Sequence, residues 1–185
     1  MVSAIDHRPT ENEHAPWAAT YIEATARALA HAPRPSIHDV LNGQLTALHA
    51  MVDAMSHDEA RRPYAPGKWT LLESLLHVAD TERVFAYRVL RIARADQTPL
   101  PGFDQDTWVP YSGANERTLG DILTELKAVR GATMALLRTL DDAAVARTGT
   151  TNGNTMSVRA LVWMIMGHFQ HHLEITRTRY LGEAA

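Results

Sequence analysis

Apolar residues recur every three or four positions along four long segments of the chain, which is the spacing of helices that bury one face. The segments run from Ser36 to about Met55, from Thr70 to about Ala95, from Thr118 to Leu140 and from Thr155 or Ser157 to about Gly182. The alanine-rich residues Trp17 to His31 predict a shorter helix that Pro33 and Pro35 end. No segment shows a convincing strand pattern, so we predict an all-α four-helix bundle.

Three of the four long segments begin with a hydroxyl residue that is followed three positions later by an acidic residue. Such a capping box satisfies free backbone N–H groups in the first helical turn. The pairs are Ser36 with Asp39, Thr70 with Glu73 and Thr118 with Asp121. They predict where these three helices begin.

Two connections between the predicted helices are long. Residues 96–117 are rich in proline and glycine, and a loop of this length within a compact domain is often functional. Because it also carries Phe103, Trp108 and Tyr111, we expect this long crossover connection to pack onto the bundle. Residues 141–156 form a polar connection with a turn signal at Asn152-Gly153.

The composition narrows the class of protein. A chain of 185 residues suits one domain, so we assign residues 1–185 to it, with 1–35 as an N-terminal extension packed on the bundle. A net charge of −3 gives no reason to expect a nucleic acid or an anionic membrane as partner. With no cysteine in the chain, disulfides and a cysteine nucleophile are excluded.

The expected location is the cytoplasm. Residues 1–15 are polar and lack the apolar stretch of a signal peptide. The longest strongly apolar run, Leu161 to Met166, is too short to span a membrane.

Three histidines lie close together near the C-terminus, at positions 168, 171 and 172. His168 and His172 are four residues apart, so on a helix they lie one turn apart on one face, within its apolar side. One interpretation is a pair of core histidines that bond to polar neighbours, since a buried imidazole needs partners. The other is a shared metal ion, which would satisfy both rings. We expect His171 to be solvated or to support a ligand.

A metal site would need a third ligand from another helix. The candidates on long helices are His77, His49 and His38. His77 lies away from the centre of the apolar stripe of its helix, so the periodicity leaves open whether it points into the bundle or into solvent.

Three motifs together resemble the DinB-like superfamily, which includes metal-dependent proteins similar to the bacillithiol- and mycothiol-dependent transferases. The motifs are Pro66–Thr70, Leu76–Arg88 and Gly167–His172, and the segments 100–106 and 8–22 resemble one branch of the superfamily. The resemblance implies a four-helix bundle with a long crossover. It also implies a metal held by His77, His168 and His172. The position after His168 is often acidic in the superfamily, whereas here it is Phe169.

Three imidazole ligands without a carboxylate leave coordination positions open, which is typical of a catalytic site. Imidazoles suit zinc, nickel, iron or copper. The expected cofactor is a divalent transition metal, with zinc or nickel ahead of iron or manganese.

The resemblance favours an enzyme that transfers a low-molecular-weight thiol to a small electrophile. A hydrolase that activates water at the same metal is the alternative. A further alternative is a non-catalytic, stress-related metal-binding protein. The expected partner is a small-molecule substrate, and a homodimer is a plausible assembly.

Seven other residues carry predicted roles around such a site. Glu73 is expected to cap its helix, and Thr81 to orient His77 or to lie on a plain helical surface. Arg88 and Tyr87 are candidates to bind an anionic substrate group, with a solvated or salt-bridged Arg88 as the alternative. Trp108 and Tyr111 are expected either to cover the site or to pack in the core. Trp69 is expected to pack against the end of the bundle.

Overall fold

The computed structural model describes residues 3–33 and 36–183 and is a mainly helical bundle. Its helices, numbered along the chain, are α1 Ala19–His31, α2 Ile37–Val52, α3 His57–Ala60, α4 Leu71–Ala93, α5 Gln105–Trp108, α6 Leu119–Leu137, α7 Asp142–Ala146 and α8 Val158–Ile175. A single π-helical turn, Thr176–Tyr180, continues α8. The long helices α2, α4, α6 and α8 form the bundle, which confirms the predicted fold class. Pro35 lies outside the described residues.

The predicted helix starts agree with the structure. Thr70 and Glu73 form a reciprocal capping box at the start of α4, and Thr118 and Asp121 form another at α6. The Ser36 side chain accepts a hydrogen bond from the backbone N–H of Asp39 at the start of α2. These helix starts could be predicted because each cap involves only residues that are close in sequence.

The structure contains a short two-stranded sheet that the sequence pattern did not indicate. Residues 141–156 contain α7 and most of an antiparallel hairpin formed by β1, Thr148–Thr151, and β2, Asn154–Ser157. Asn152 and Gly153 both have positive φ at its turn, as the Asn-Gly signal indicates. The strands escaped detection because four residues each are too few to show a period of two.

The crossover between α4 and α6 is more ordered than the loop that was predicted. It contains α5 and two short 3₁₀ turns, Val109–Tyr111 and Ala114–Glu116. The backbone of Leu100 bonds to Thr150 and Asn152, at 2.9 Å each, and so ties the crossover to the hairpin. In the last helix, regular α-helix ends at Ile175 and the π-helical turn ends at Tyr180, just before Gly182.

Helix α8 lies at the centre of the molecule and packs against α1, α2 and α4. The N-terminal segment lies against it as well: Trp163 Nε1 donates to the Ile5 carbonyl at 2.9 Å, and Arg159 pairs with Glu13 at 2.7 Å. The assignment of residues 1–185 to one domain stays a prediction. Among the described residues, no helix has both the length and the apolar character needed to cross a membrane.

Candidate metal centre

The structure brings His77, His168 and His172 together at the interface between α4 and α8. One ring nitrogen from each lies within 4.8 Å of one from each of the other two. Nε2 of His77 and Nε2 of His168 are 3.1 Å apart, and the ring centroids of the three pairs are 4.7–5.1 Å apart. His38 is half-buried and His49 is exposed on α2, and neither lines this site.

All three imidazoles are buried, with exposed fractions of 6–8%. Burial lowers the pKa of His77 to about 4. It also holds the pKa of His168 and His172 well below the usual value, and the neighbouring imidazoles lower both pKa values further. The three rings are therefore neutral near pH 7, and neutral imidazole is the form that binds a metal ion.

The geometry of the three rings fits a transition-metal ion. Zinc–nitrogen bonds of about 2.0–2.1 Å in a tetrahedral site place ligand nitrogens roughly 3.4 Å apart. The 3.1 Å between His77 and His168 is close to that separation. Three such rings form only part of a coordination shell, so the site has room for a further ligand from the cleft.

Ser74 lies one turn before His77 on α4 and is the neighbour that best orients a ligand. Its hydroxyl is 2.9 Å from Nδ1 of His172, and the residue is buried. With Nδ1 occupied by this hydrogen bond, Nε2 is the nitrogen of His172 that is free to bind a metal. Ser74 was not among the residues predicted from sequence, although its position three residues before His77 places both on one helix face.

Thr81 lies one turn after His77, as expected for an orienting residue, and is buried rather than on a plain surface. Its hydroxyl oxygen is 3.4 Å from both ring nitrogens of His77, which is long for a hydrogen bond. Glu73 acts as a helix cap, as predicted, and its carboxylate also accepts a bond from Asn115 Nδ2 at 2.9 Å.

The three histidines line a cleft of about 630 Å³, within the range of small-molecule sites. Its walls are partly aromatic. The ring of Trp69 is 5.0 Å from His77, that of Tyr21 is 5.5 Å from His168, and that of Phe85 is 6.2 Å from His168. Trp69 therefore lies beside the site, whereas it was predicted only to pack against the end of the bundle.

Trp108 and Tyr111, which were expected to cover the site or to pack in the core, do neither. Tyr111 is 91% exposed, and Trp108 is 45% exposed and stacks on Phe103 at 4.9 Å. Phe103 of the same crossover does line the cleft, together with Gln105 and Asp106. The error arose because the apolar weight of the crossover does not tell which of its side chains turns inward.

The remaining candidates separate into two groups. Arg88 is buried and lines the cleft, whereas Tyr87 is half exposed and contacts Arg91. His171 is exposed at the rim of the cleft, with its ring 6.0 Å from that of Tyr21. No described carboxylate forms an ion pair with Arg88.

The fold and the site define a helical bundle with a buried histidine triad that opens into a small-molecule cleft. The model of the DinB superfamily matches residues 41–176, so this chain belongs to that superfamily.

Two curated proteins are similar in sequence to this chain over most of their length. The chain is 26% identical over 138 residues to "Putative metal-dependent hydrolase YfiT" of Bacillus subtilis strain 168, covering 70% of this chain and 76% of that protein. It is 26% identical over 131 residues to "Putative metal-dependent hydrolase OB0413" of Oceanobacillus iheyensis, covering 66% and 70%.

A solved structure shares the fold. The structure of YfiT from Bacillus subtilis, described as a probable metal-dependent hydrolase with an unusual four-helix bundle topology, matches with a TM-score of 0.69. The match covers 96% of this chain and 95% of that one at 20% identity, and it supports the fold alone.

Proposed function

We propose that His77, His168 and His172 bind a divalent transition-metal ion and that the protein is a metal-dependent hydrolase of a small molecule. The observation that carries the proposal is the convergence of three buried, neutral imidazoles on one open cleft. The names of the two curated relatives support the hydrolase reading.

His77, His168 and His172 would hold the ion without neutralising it, and it would supply Lewis-acid chemistry and activation of a water or thiol nucleophile. The chain supplies the setting for this chemistry. Ser74 holds the ring of His172 in place through Nδ1. Trp69, Tyr21 and Phe85 exclude bulk water from the rings and offer apolar contact area to a substrate.

Transfer of an external thiol is the second candidate, and the size of the cleft favours it. A volume of about 630 Å³ has room for a small thiol beside a small electrophile. Because the chain has no cysteine, the thiol would have to come from solution. Both candidates use the same three histidines and differ only in the nucleophile.

The test begins with metal content. We would load the purified protein with zinc, nickel, iron or manganese and measure the bound ion by elemental analysis. His168→Ala should lose the ion, whereas His49→Ala, which alters an exposed histidine on α2, should retain it. If wild type and His168→Ala held equal amounts of metal, the metal site would be excluded.

Activity is then measured with the loaded protein on small esters, amides and alkyl halides, each with and without added thiol. Turnover without thiol that is lost in His168→Ala supports the hydrolase. Turnover that requires thiol favours the transferase. Metal binding without any turnover, together with reduced stability of His168→Ala, would overturn both and leave a structural metal site.

A further inference from the structure

A buried arginine lies in the cleft of the histidine triad, and no carboxylate of residues 3–33 or 36–183 pairs with it. Arg88 is 4% exposed and lines the same cleft as His77 and His168. Its ion-pairing neighbours on α4 differ, because Arg83 pairs with Asp80 and Glu125, and Arg91 pairs with Asp96. A buried cation without an anionic partner is costly, so it is usually retained where a ligand supplies the charge.

The guanidinium has donors to spare. Nη2 donates to the Pro101 carbonyl at 2.7 Å, and neither Nε nor Nη1 bonds to a described residue. Every fully buried side-chain nitrogen or oxygen in the described part of the chain has a partner, so these two nitrogens must keep access to solvent. The cleft is a cavity that Arg88 lines, and Nε and Nη1 therefore offer N–H donors to it from two edges of the guanidinium.

Two aromatic rings fix the position of the Arg88 guanidinium. The Arg88 Cζ atom lies 5.7 Å from the ring centroid of Phe85 and 5.8 Å from that of Phe103. Such contacts hold a guanidinium in place without neutralising its charge. Burial without a counter-charge lowers the pKa of Arg88, but an arginine stays protonated at any physiological pH.

The arrangement relative to the triad suits a single small substrate. His77 and Arg88 are eleven residues apart on α4, which returns both to nearly the same helix face about 16 Å apart along the axis. The arginine side chain leans back toward the helix N-terminus and shortens that gap. The ring of Phe85 contacts both ends of the cleft, because its centroid lies 6.2 Å from that of His168 and 5.7 Å from Cζ of Arg88.

The geometry points to Arg88 as the anchor of an anionic substrate group, so that the substrate of this site is a small molecule with a carboxylate or phosphate several bonds from its reacting centre. This inference rests on the proposed function, since the reacting centre is placed at the histidine triad. Lys68 also lines the cleft but is exposed, and Asp106 is its one lining carboxylate among the described residues, so the surroundings favour an anion.

The test compares probes of equal shape and different charge. Succinate, glutarate and adipate, their monomethyl esters and their dimethyl esters would be titrated by calorimetry into the metal-loaded protein and into the chelated protein. Charge-assisted hydrogen bonds predict that the diacid or monoester of best length binds the loaded protein about ten- to a hundredfold more tightly than its neutral diester.

Variants then assign the preference to one residue. Arg88→Gln should abolish the charge preference while metal content stays at the wild-type level. Arg88→Lys should restore part of the preference, because it keeps the positive charge without the planar guanidinium. Arg94→Gln, which alters an exposed arginine at the C-terminal cap of α4, should leave it intact. If Lys68→Gln removed the preference and Arg88→Gln did not, the anchor would be Lys68 and the proposal would be overturned.

Failure of this proposal can be distinguished from failure of the proposed function. Loss of metal uptake overturns the metal site, whereas charge preference in the chelated protein still reports on Arg88. Equal binding of diester and monoester by wild type in both states overturns the role of Arg88 even if Arg88→Gln does not fold. A lower melting temperature of Arg88→Gln with unchanged charge preference would identify a purely structural arginine that holds the crossover at Pro101.

Discussion

His77 shows why a helical wheel is an incomplete guide at the scale of one residue. It lies away from the apolar stripe of α4, yet only 8% of it is exposed. The same is true of Glu82 and Arg88, which are 3% and 4% exposed. Helix α4 is covered by α6, α8 and the crossover, so a second and polar face of it is also buried. Periodicity identifies apolar faces, and it gives no signal for a buried polar face.

The hydrogen bond between Ser74 and Nδ1 of His172 gives a prediction at this scale. Ser74→Ala removes the group that orients the ring, so we expect metal affinity to fall about ten- to a hundredfold with little change in helix content. Competition with a chelating indicator measures the affinity. Thr81→Val is the matched control on the same helix, and it should have a smaller effect because its hydroxyl is 3.4 Å from His77. An equal loss in both variants would contradict the specific role of Ser74.

At the scale of elements, the contact between α1 and α8 depends on one glycine. A Cβ atom added to Gly167 would lie 2.0 Å from the backbone oxygen of Tyr21 and 2.9 Å from the hydroxyl of Thr25. The oxygen belongs to the backbone of α1, so it cannot move without shifting the helix. Gly167 therefore sets how closely α1 approaches the helix that carries two of the three histidines.

Gly167→Ala should destabilise the protein because α1 and α8 would have to separate. We expect a loss of about 1–3 kcal/mol or more in the free energy of unfolding, measured by urea denaturation. Gly131→Ala is the matched control inside α6, where nothing lies within 4 Å of the added methyl group. It should instead stabilise by about 0.5–1 kcal/mol, since alanine favours helix over glycine. Equal effects of the two substitutions would exclude the close contact as the cause.

The elements differ in how far sequence could predict them. The capped starts of α4 and α6 were readable because Thr70–Glu73 and Thr118–Asp121 are local pairs. The hairpin of β1 and β2 could not be predicted as strands, because each strand has only four residues. Its contact with Leu100 of the crossover joins segments that are distant in sequence. Only its turn could be predicted from local sequence, through the residues Asn152 and Gly153.

At the scale of the whole molecule, one buried ion pair connects the four long helices. Arg130 of α6 binds Glu82 of α4 through two nitrogens, at 2.8 and 2.9 Å, and donates to the Leu41 carbonyl of α2. Its Cζ atom lies 4.6 Å from the ring centroid of Phe169 on α8. This contact gives a physical reason for a phenylalanine next to His168, because the ring covers the guanidinium.

Breaking this pair on one side should be costly. Arg130→Met leaves the Glu82 carboxylate buried without its partner, so we expect a loss of about 3–5 kcal/mol in the free energy of unfolding. The double variant Glu82→Leu with Arg130→Met should recover most of that loss, as a double-mutant cycle by denaturation would show. If the losses of the single variants simply added, the two residues would not be coupled.

Metal binding should stabilise the whole fold, because its proposed ligands come from two helices that are separated in sequence. With free ion at about one hundred times the dissociation constant, the gain is about 2.7 kcal/mol. For a chain of this size, such a gain raises the melting temperature by roughly 5–10 °C. Calorimetric scans with zinc or nickel and with chelator measure the shift. It should be absent in His168→Ala, and a shift retained in that variant would contradict the proposed ligand set.

The sequence by itself determined the four long helices, the capped starts of three of them and the pair His168 and His172. Each of these features depends on residues that are only a few positions apart. The family resemblance pointed to His77, and the tertiary structure showed that it lies opposite that pair. Only the tertiary structure decided that Ser74 supports the pair and that Phe103 rather than Trp108 lines the cleft. These outcomes depend on which face of α4 the crossover and α8 cover. That choice is made by packing between segments that are distant in sequence, and no local pattern records it.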